Sequence, residues 1–202
     1  MRRFISVLLG VIAGAVLAAP SFAAGWALTA DTPLSYSFDK GIVNQPFSGS
    51  NTASWTHRTT TDVSGSKVLL IAPFHLGAGY EDYTVSQTVG SCGAGCTGKV
   101  RTNLQIVDVV IDIPMRFLNI GLGYGEGQAN TDVMVGGNTP LRHMNVSQTF
   151  VTLGIPLGAS LDIHAGYHWV SVEKKDFLAG ATNPSQILLS GEMLSAGLRL
   201  NF

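Results

Sequence analysis

Histidine, acid and cysteine are the residue types here whose chemistry could exceed packing. His164 and His168 in "DIHAGYHWVSV" share one face of an alternating segment. Four strand residues separate them by about 13 Å, too far to ligate one metal ion whose bonds to nitrogen are about 2 Å. Two further histidines, His57 and His143, stand in polar stretches where acids such as Asp62 or Asp132 could approach them. A hydrolytic site needs a nucleophile or acid beside a histidine. On the outward face of the last apolar segment the polar residues are Ser190 and Glu192, with no histidine in register. No catalytic triad, cofactor-binding or metal-ligating constellation emerges.

Cys92 and Cys96 lie in "SCGAGC". In an oxidising compartment a short-range disulfide across the flexible Gly-Ala-Gly is sterically plausible; a zinc site would need further ligands nearby. Three other motifs fail on context. "GLGYGEG" has alternating glycines and no following helix, so it is no dinucleotide fingerprint. "SVEK" lies in or beside a strand instead of opening a helix. "NVS" at Asn145 is a glycosylation sequon only in a eukaryotic secretory setting.

The segments that would position these residues repeat. Gly-Tyr pairs occur at Gly79-Tyr80, Gly123-Tyr124 and Gly166-Tyr167, with spacings of 44 and 43 residues. Each follows an apolar run into a proline: "VLLIAPF", "VDVVIDIPM" and "FVTLGIPLG", with Pro73, Pro114 and Pro156 spaced by 41 and 42 residues. Proline presets a turn and cannot donate to a central ladder. The unit is therefore strand, tight turn, returning strand and polar loop.

The returning strands alternate. Leu76, Ala78 and Tyr80 oppose His75, Gly77, Gly79 and Glu81. Leu118, Ile120, Leu122 and Tyr124 oppose Asn119, Gly121 and Gly123. Leu161, Ile163, Ala165, Tyr167 and Trp169 oppose Asp162, His164, Gly166 and His168. With flanking strands over Trp26 to about Asp39 and Ile187 to Phe202, the three hairpins make eight strands. Four long polar loops are expected at one end, Lys40 to about Ser66, Gln87 to about Thr102, Gln128 to about Val146 and Glu173 to about Gln186. An extra strand within Ala53 to Thr61 together with a partner strand would make ten, but no partner is visible.

The chain opens "MRRFISVLLGVIAGAVLAAPSFAA": basic residues, an apolar run too short to span a bilayer, then a small-x-small triplet ending at Ala23. Residues 1–23 read as a cleaved signal peptide, leaving one domain over 24–202. Without Arg2 and Arg3 the formal charge is -3, and no basic patch points to nucleic acid. Charged residues are only 12% of the chain, about half the usual share.

Short alternating strands, an even count and turns gathered at one end describe an all-β, transmembrane, antiparallel up-and-down β-barrel of eight strands. Closure removes unpaired edges from lipid. A soluble barrel with a glycine outer face would have a poor aqueous surface, so the apolar face should meet membrane lipids. Tyr80, Tyr124, Tyr167, Trp169, Tyr36 and Phe38 would then supply part of an aromatic girdle. The lumen face collects Asp31, Lys67, Glu81, Asp108, Asp112, Asp162, His164, His168 and Arg199. Buried charges must pair, so these should form a network that plugs the barrel; an ion or proton path is the alternative.

The last segment, "EMLSAGLRLNF", alternates Leu194, Ala196, Leu198, Leu200 and the terminal Phe202 against Met193, Ser195, Gly197, Arg199 and Asn201. It resembles the C-terminal signature of bacterial outer-membrane β-barrel proteins, and the whole chain resembles small barrels of the OmpA and OmpX type. That resemblance implies recognition of Leu198, Leu200 and Phe202 by the barrel-assembly machinery. It also implies both mature termini in the periplasm and short periplasmic turns opposite long extracellular loops. A non-enzymatic structural or surface-interaction role through those loops, with an unidentified extracellular partner, is the leading expectation. A narrow pore is the alternative, and a lipid-modifying enzyme a more distant one.

Overall fold

Alternation with a period of two is the dominant local signal, and it builds strands throughout. The computed structural model describes residues 25–38, 57–90, 98–115, 117–134, 138–158, 160–173, 175–177, 185–187 and 189–202. Eight long strands form: β1 (Ala27–Phe38), β2 (His57–Ile71), β3 (Leu76–Gly90), β4 (Gly98–Pro114), β5 (Asn119–Met134), β6 (Asn138–Pro156), β7 (Leu161–Val172) and β10 (Gly191–Asn201). Two short strands, β8 (Lys175–Phe177) and β9 (Ser185–Ile187), pair only with each other. The eight close into one antiparallel barrel in the order β1-β10-β7-β6-β5-β4-β3-β2. Residues 57–61 belong to β2, so the ten-stranded alternative is replaced by eight strands plus a separate hairpin.

The barrel is laced at its turn end. Trp26 N donates to Phe202 O at 3.1 Å, and Phe202 N returns the bond to Trp26 O at 2.9 Å. The first and last strands are thereby clasped. Pro73 stands in the tight turn after β2, while Pro114 and Pro156 are the last residues of β4 and β6 and lead into theirs; each turn is closed by a backbone bond, Ala72 N to Leu76 O, Met115 N to Leu118 O and Leu157 N to Leu161 O, at 2.8 to 2.9 Å.

The other end differs from the expected long loops. Strands β2 to β6 run on through residues 57–66, 87–90, 98–102, 128–134 and 138–146, all read as polar loop, and only residues 135–137 separate β5 from β6. The cause is a switch of solvent preference within single strands. On β5, Leu122 and Tyr124 face outward, and above them the outward positions turn polar at Glu126 and Gln128 while inward Ala129 and Val133 are buried. β4 does the same, with Val107 to Ile113 apolar outside, then Gln105 outside and Ile106, Leu104 and Val100 inside. The apolar belt thus spans roughly 20 Å, taking about 3.3 Å per residue and a tilt near 40°. Above it the strands continue with the faces exchanged.

Tyr36 and Phe38 correct the girdle expectation. A register shift between Pro33 and Ser35 on β1 is a β-bulge, which inserts one residue and reverses the parity beyond it. Leu34 and Ser35 therefore both point outward, and Tyr36 and Phe38 are buried inside the barrel, edge to face at 4.9 Å. They join Tyr83, Val85, Leu104, Ile106, Met144, Val170, Val172, Leu189 and Met193 in an apolar core at the loop end. Tyr80, Tyr124 and Trp169 do face outward at the belt's upper edge, while Phe74 and Phe117, 70% and 76% exposed, mark its lower edge on the turns.

The inward glycines leave room for larger neighbours. A Cβ on Gly123 would collide with the Phe150 ring lying across it, and interiors this dense tolerate no such addition without strain. Gly123→Val is expected to lower stability by roughly 1–3 kcal/mol, read as a lower urea midpoint for the barrel refolded in phospholipid vesicles. Leu122→Val, facing outward, should leave it within about 0.5 kcal/mol.

Candidate functional site

The site with the densest chemistry is the lumen, and strand register assembles it. Asp31 on β1, Lys67 on β2 and Glu81 on β3 are successive cross-strand partners, and Arg199 on β10 is opposite Asp162 on β7. Charges separated widely in sequence thereby become neighbours on the inner wall.

The central group surrounds Lys67, whose side chain is fully buried. Its Nζ lies 2.5 Å from Glu81 Oε1 and 3.4 Å from Asp108 Oδ2. The same ammonium sits 3.2 Å from the centroid of the Phe150 ring, where the ring's negative face attracts it. Gln148 Nε2 donates to Asp108 Oδ1 at 2.8 Å. His168 Nδ1 donates to Gln148 Oε1 at 3.3 Å, leaving Nε2 to accept from the Ser195 hydroxyl at 3.1 Å. Phe150 stacks on His168 with centroids 5.2 Å apart.

A second group closes the turn end. Arg199 makes a two-pronged contact with Asp112 at 2.7 and 3.0 Å, and its Nε donates to Asn201 Oδ1 at 2.8 Å. Asp162 accepts from Asn119 at 2.7 Å and Asn201 at 3.2 Å, and lies 3.6 Å from Arg199 Nε. Half-exposed His75, in a left-handed conformation on the first turn, brings Nδ1 to 3.9 Å from Asp112. Between the two groups, His164 Nε2 meets the Asp31 carboxylate.

All nine charged or histidine residues expected on the lumen face therefore point inward, and each has an ion-pair or hydrogen-bond partner. His164 and His168 each have different partners, and no group of three or more metal-ligating side chains occurs among the described residues. Sequence reasoning missed Ser195, Gln148 and Phe150 as partners in the central group. A signal for Ser195 was present: Gly166 is opposite it, and a residue without a side chain lets His168, two positions along, reach across.

Outside the lumen, His143 and Asp132 each take another partner. His143 Nδ1 contacts Gln128 Oε1 at 3.2 Å, while Asp132 is held by Arg142 at 2.7 Å. Ser190 Oγ accepts from Val172 N at 3.0 Å. The side chain of His57 and the whole of Cys92 and Cys96 lie outside the described residues, as does segment 1–23.

No protein-family model matches the chain, and no curated protein matches it in sequence. Among solved structures, neisserial surface protein A is similar at 12% identity and a TM-score of 0.53, covering 89% of this chain and 98% of that one. Ail, the attachment invasion locus protein of Yersinia pestis, aligns at 12% identity over 86% and 95% of the two chains, with a TM-score of 0.41. The outer membrane protease OmpT of Escherichia coli aligns at 11% identity over 88% and 93%, with a TM-score of 0.44. The first shows the fold, a closed antiparallel β-barrel; the other two likenesses carry no further argument.

Breaking a buried ion pair from one side strands a charge, at roughly 3–5 kcal/mol. Lys67→Met should lower the urea midpoint accordingly, and adding Glu81→Gln should restore part of the loss. A double variant no more stable than Lys67→Met would show that the ammonium stabilises the interior through Phe150 or Asp108 instead.

Proposed function

We propose that the chain is exported through the signal peptide 1–23 and spans the bacterial outer membrane as a non-enzymatic barrel that presents its loop-end strands outside the cell. One observation carries this reading: the outward face changes from apolar to polar at Tyr80, Tyr124 and Trp169 while the strands continue. A belt of apolar side chains bounded by aromatic rings fits a lipid core between two interfaces. Its length fits the bacterial outer membrane, which is thinner than average. The turns then lie at the periplasmic face and the extended strands beyond the outer leaflet, while the last strand, ending in Leu198, Leu200 and Phe202, serves the assembly machinery.

The role outside the cell is structural or interactive. What supports it is a polar-faced extension of the strands, held by an apolar core that includes Leu104, Ile106, Met144 and Val146. The filled interior weighs against the pore. Tyr83, Lys67, Phe150, Leu104, Ile106 and Met144 are each under 2% exposed and lie across the lumen. Eight strands leave space for side chains and little else.

Single cysteines in a background with Cys92 and Cys96 replaced by serine test the orientation. Gln105→Cys should react with a membrane-impermeant maleimide on intact cells, and Ser160→Cys, on the third turn, only after the outer membrane is breached. The reverse pattern would overturn the proposed orientation. In planar bilayers the refolded mature protein should give no resolved channel current; discrete openings would restore the pore reading.

A further inference from the structure

Strand register lays three rows of outward side chains across β5, β6 and β7. The lowest is Tyr124, Thr149 and Trp169, and the next is Glu126, Ser147 and Ser171. The highest is Gln128, Asn145 and Glu173, whose backbone N donates to Asn145 O at 2.8 Å. Rings and longer side chains stand in the outer rows, and two serines in the middle one. The result is an outward hollow of about 470 Å³, lined by Tyr124, Glu126, Asn145, Ser147, Ser171 and Glu173 among others. Small-molecule sites occupy about 300–1,000 Å³.

Two carboxylates border the hollow from opposite sides. Tyr124 Oη donates to Glu126 Oε1 at 2.8 Å, and Asn145 N donates to Glu173 Oε2 at 3.1 Å. One oxygen of each is thereby tethered on its own side, and the other is left for a ligand. β5 and β7 flank β6, two ladder steps and about 9–10 Å apart. Carboxylates held that far apart do not close on one cation with bonds of about 2.0–2.6 Å. Their charges repel a bare phosphate, and a single ammonium engages only one of them. A ring with hydroxyls on both sides meets both, with the Ser147 and Ser171 hydroxyls beneath it.

We propose that this hollow binds a hexose ring in the headgroup of an outer-leaflet glycolipid. The proposal rests on the bilayer-spanning reading, which fixes the source of the sugar. Tyr124, at the upper edge of the apolar belt, is the lower rim of the hollow. The hollow therefore opens at the depth where the headgroups of outer-membrane lipids begin. The acyl chains of the same lipid then lie against Leu122, Leu153 and Ile163, exposed below it on the same three strands. Hydroxyls donating to carboxylates make charge-assisted hydrogen bonds, the stronger kind.

The test places the mature barrel in nanodiscs with equimolar glucosyl-diacylglycerol, phosphatidylethanolamine and phosphatidylcholine of identical acyl chains, and native mass spectrometry reads which lipid stays bound. The glucosyl lipid should be retained over phosphatidylcholine by about tenfold or more. Glu126→Gln removes one charged acceptor and should cut that retention about tenfold, the worth of one such hydrogen bond. Ser147→Phe fills the floor and should abolish the preference, while Glu192→Gln, an exposed acid on β10 outside the hollow, should leave it unchanged. Equal retention of the three lipids, or a preference that survives Ser147→Phe, overturns the proposal. Preference for phosphatidylethanolamine overturns it in favour of an amine, and displacement of the lipid by millimolar methyl glucoside overturns the lipid as the source of the sugar. A barrel that does not enter the nanodiscs at all overturns the spanning reading and the proposal with it. Both substitutions in the hollow face outward above the belt, where changes are tolerated best; if one does not fold, the other and the lipid preference of the unaltered protein decide.

Discussion

The burial of the Lys67 ammonium is the constraint from which the rest of the interior follows. A cation taken fully out of water costs several kcal/mol unless it is paired and hydrogen-bonded. It meets Glu81, Asp108 and the face of Phe150 at once. Each partner brings its own demand: Asp108 needs Gln148, Gln148 positions His168, and His168 engages Ser195. Phe150 fits only because Gly123 leaves its side of the wall bare. One charge thus fixes residues on β2, β3, β4, β5, β6, β7 and β10. Such a group adds little net stability over an apolar filling. It is stringent about register, because a slip of one residue would turn Lys67 outward into the apolar belt.

The same backbone serves two solvents. Within the belt the outside is apolar and the inside carries charge; beyond it the outside is polar and the inside is mainly aliphatic and aromatic, with Gln87 and the Thr102–Thr131 pair buried among these side chains. Hydrogen bonding between strands is indifferent to this exchange, so the ladders of β3, β4 and β5 continue through it unbroken. Only the side chains report the boundary. Placing the lipid interface therefore depends on where the outward residues change character, at Tyr80 and Tyr124, and not on where strands begin or end.

That exchange also explains what the sequence did and did not disclose. The eight strands, their turns and the inward acids are legible because glycine or acid alternates with large apolar residues in each belt segment, at a spacing near 43 residues. "QANTDVM" and "SQTVG" look like loop because they are rich in polar residues, but Gln128, Asn130, Asp132, Ser86 and Thr88 alternate outward while Ala129, Thr131, Val133 and Gln87 keep the same two-residue period inward. The period was present; its polarity had reversed. Tyr36 and Phe38 were misplaced for a different reason, since a bulge of one residue at Pro33 reverses parity without altering composition. Partners such as Ser195 and Gln148 depend on which strands are adjacent and by what register, and alternation alone does not supply that.

The Ser195–His168 contact shows why arrangement alone does not make an active site. A hydroxyl bonded to an imidazole, with Glu81 lying 3.9 Å from the other ring nitrogen, has the members of an acyl-transfer nucleophile. Such a nucleophile acts on an atom brought within about 3 Å, with donors ready for the developing oxyanion. Here the inner wall supplies Phe150 against the imidazole and Gly166 against the serine, and both reactive side chains are buried. A substrate carbonyl would have to displace the Lys67 group to enter, leaving an unpaired ammonium in the barrel. The energy that holds the lumen shut is therefore the energy that would oppose catalysis. The imidazole between Gln148 and Ser195 is better suited to bridging β6 and β10 across β7 than to moving protons for a substrate.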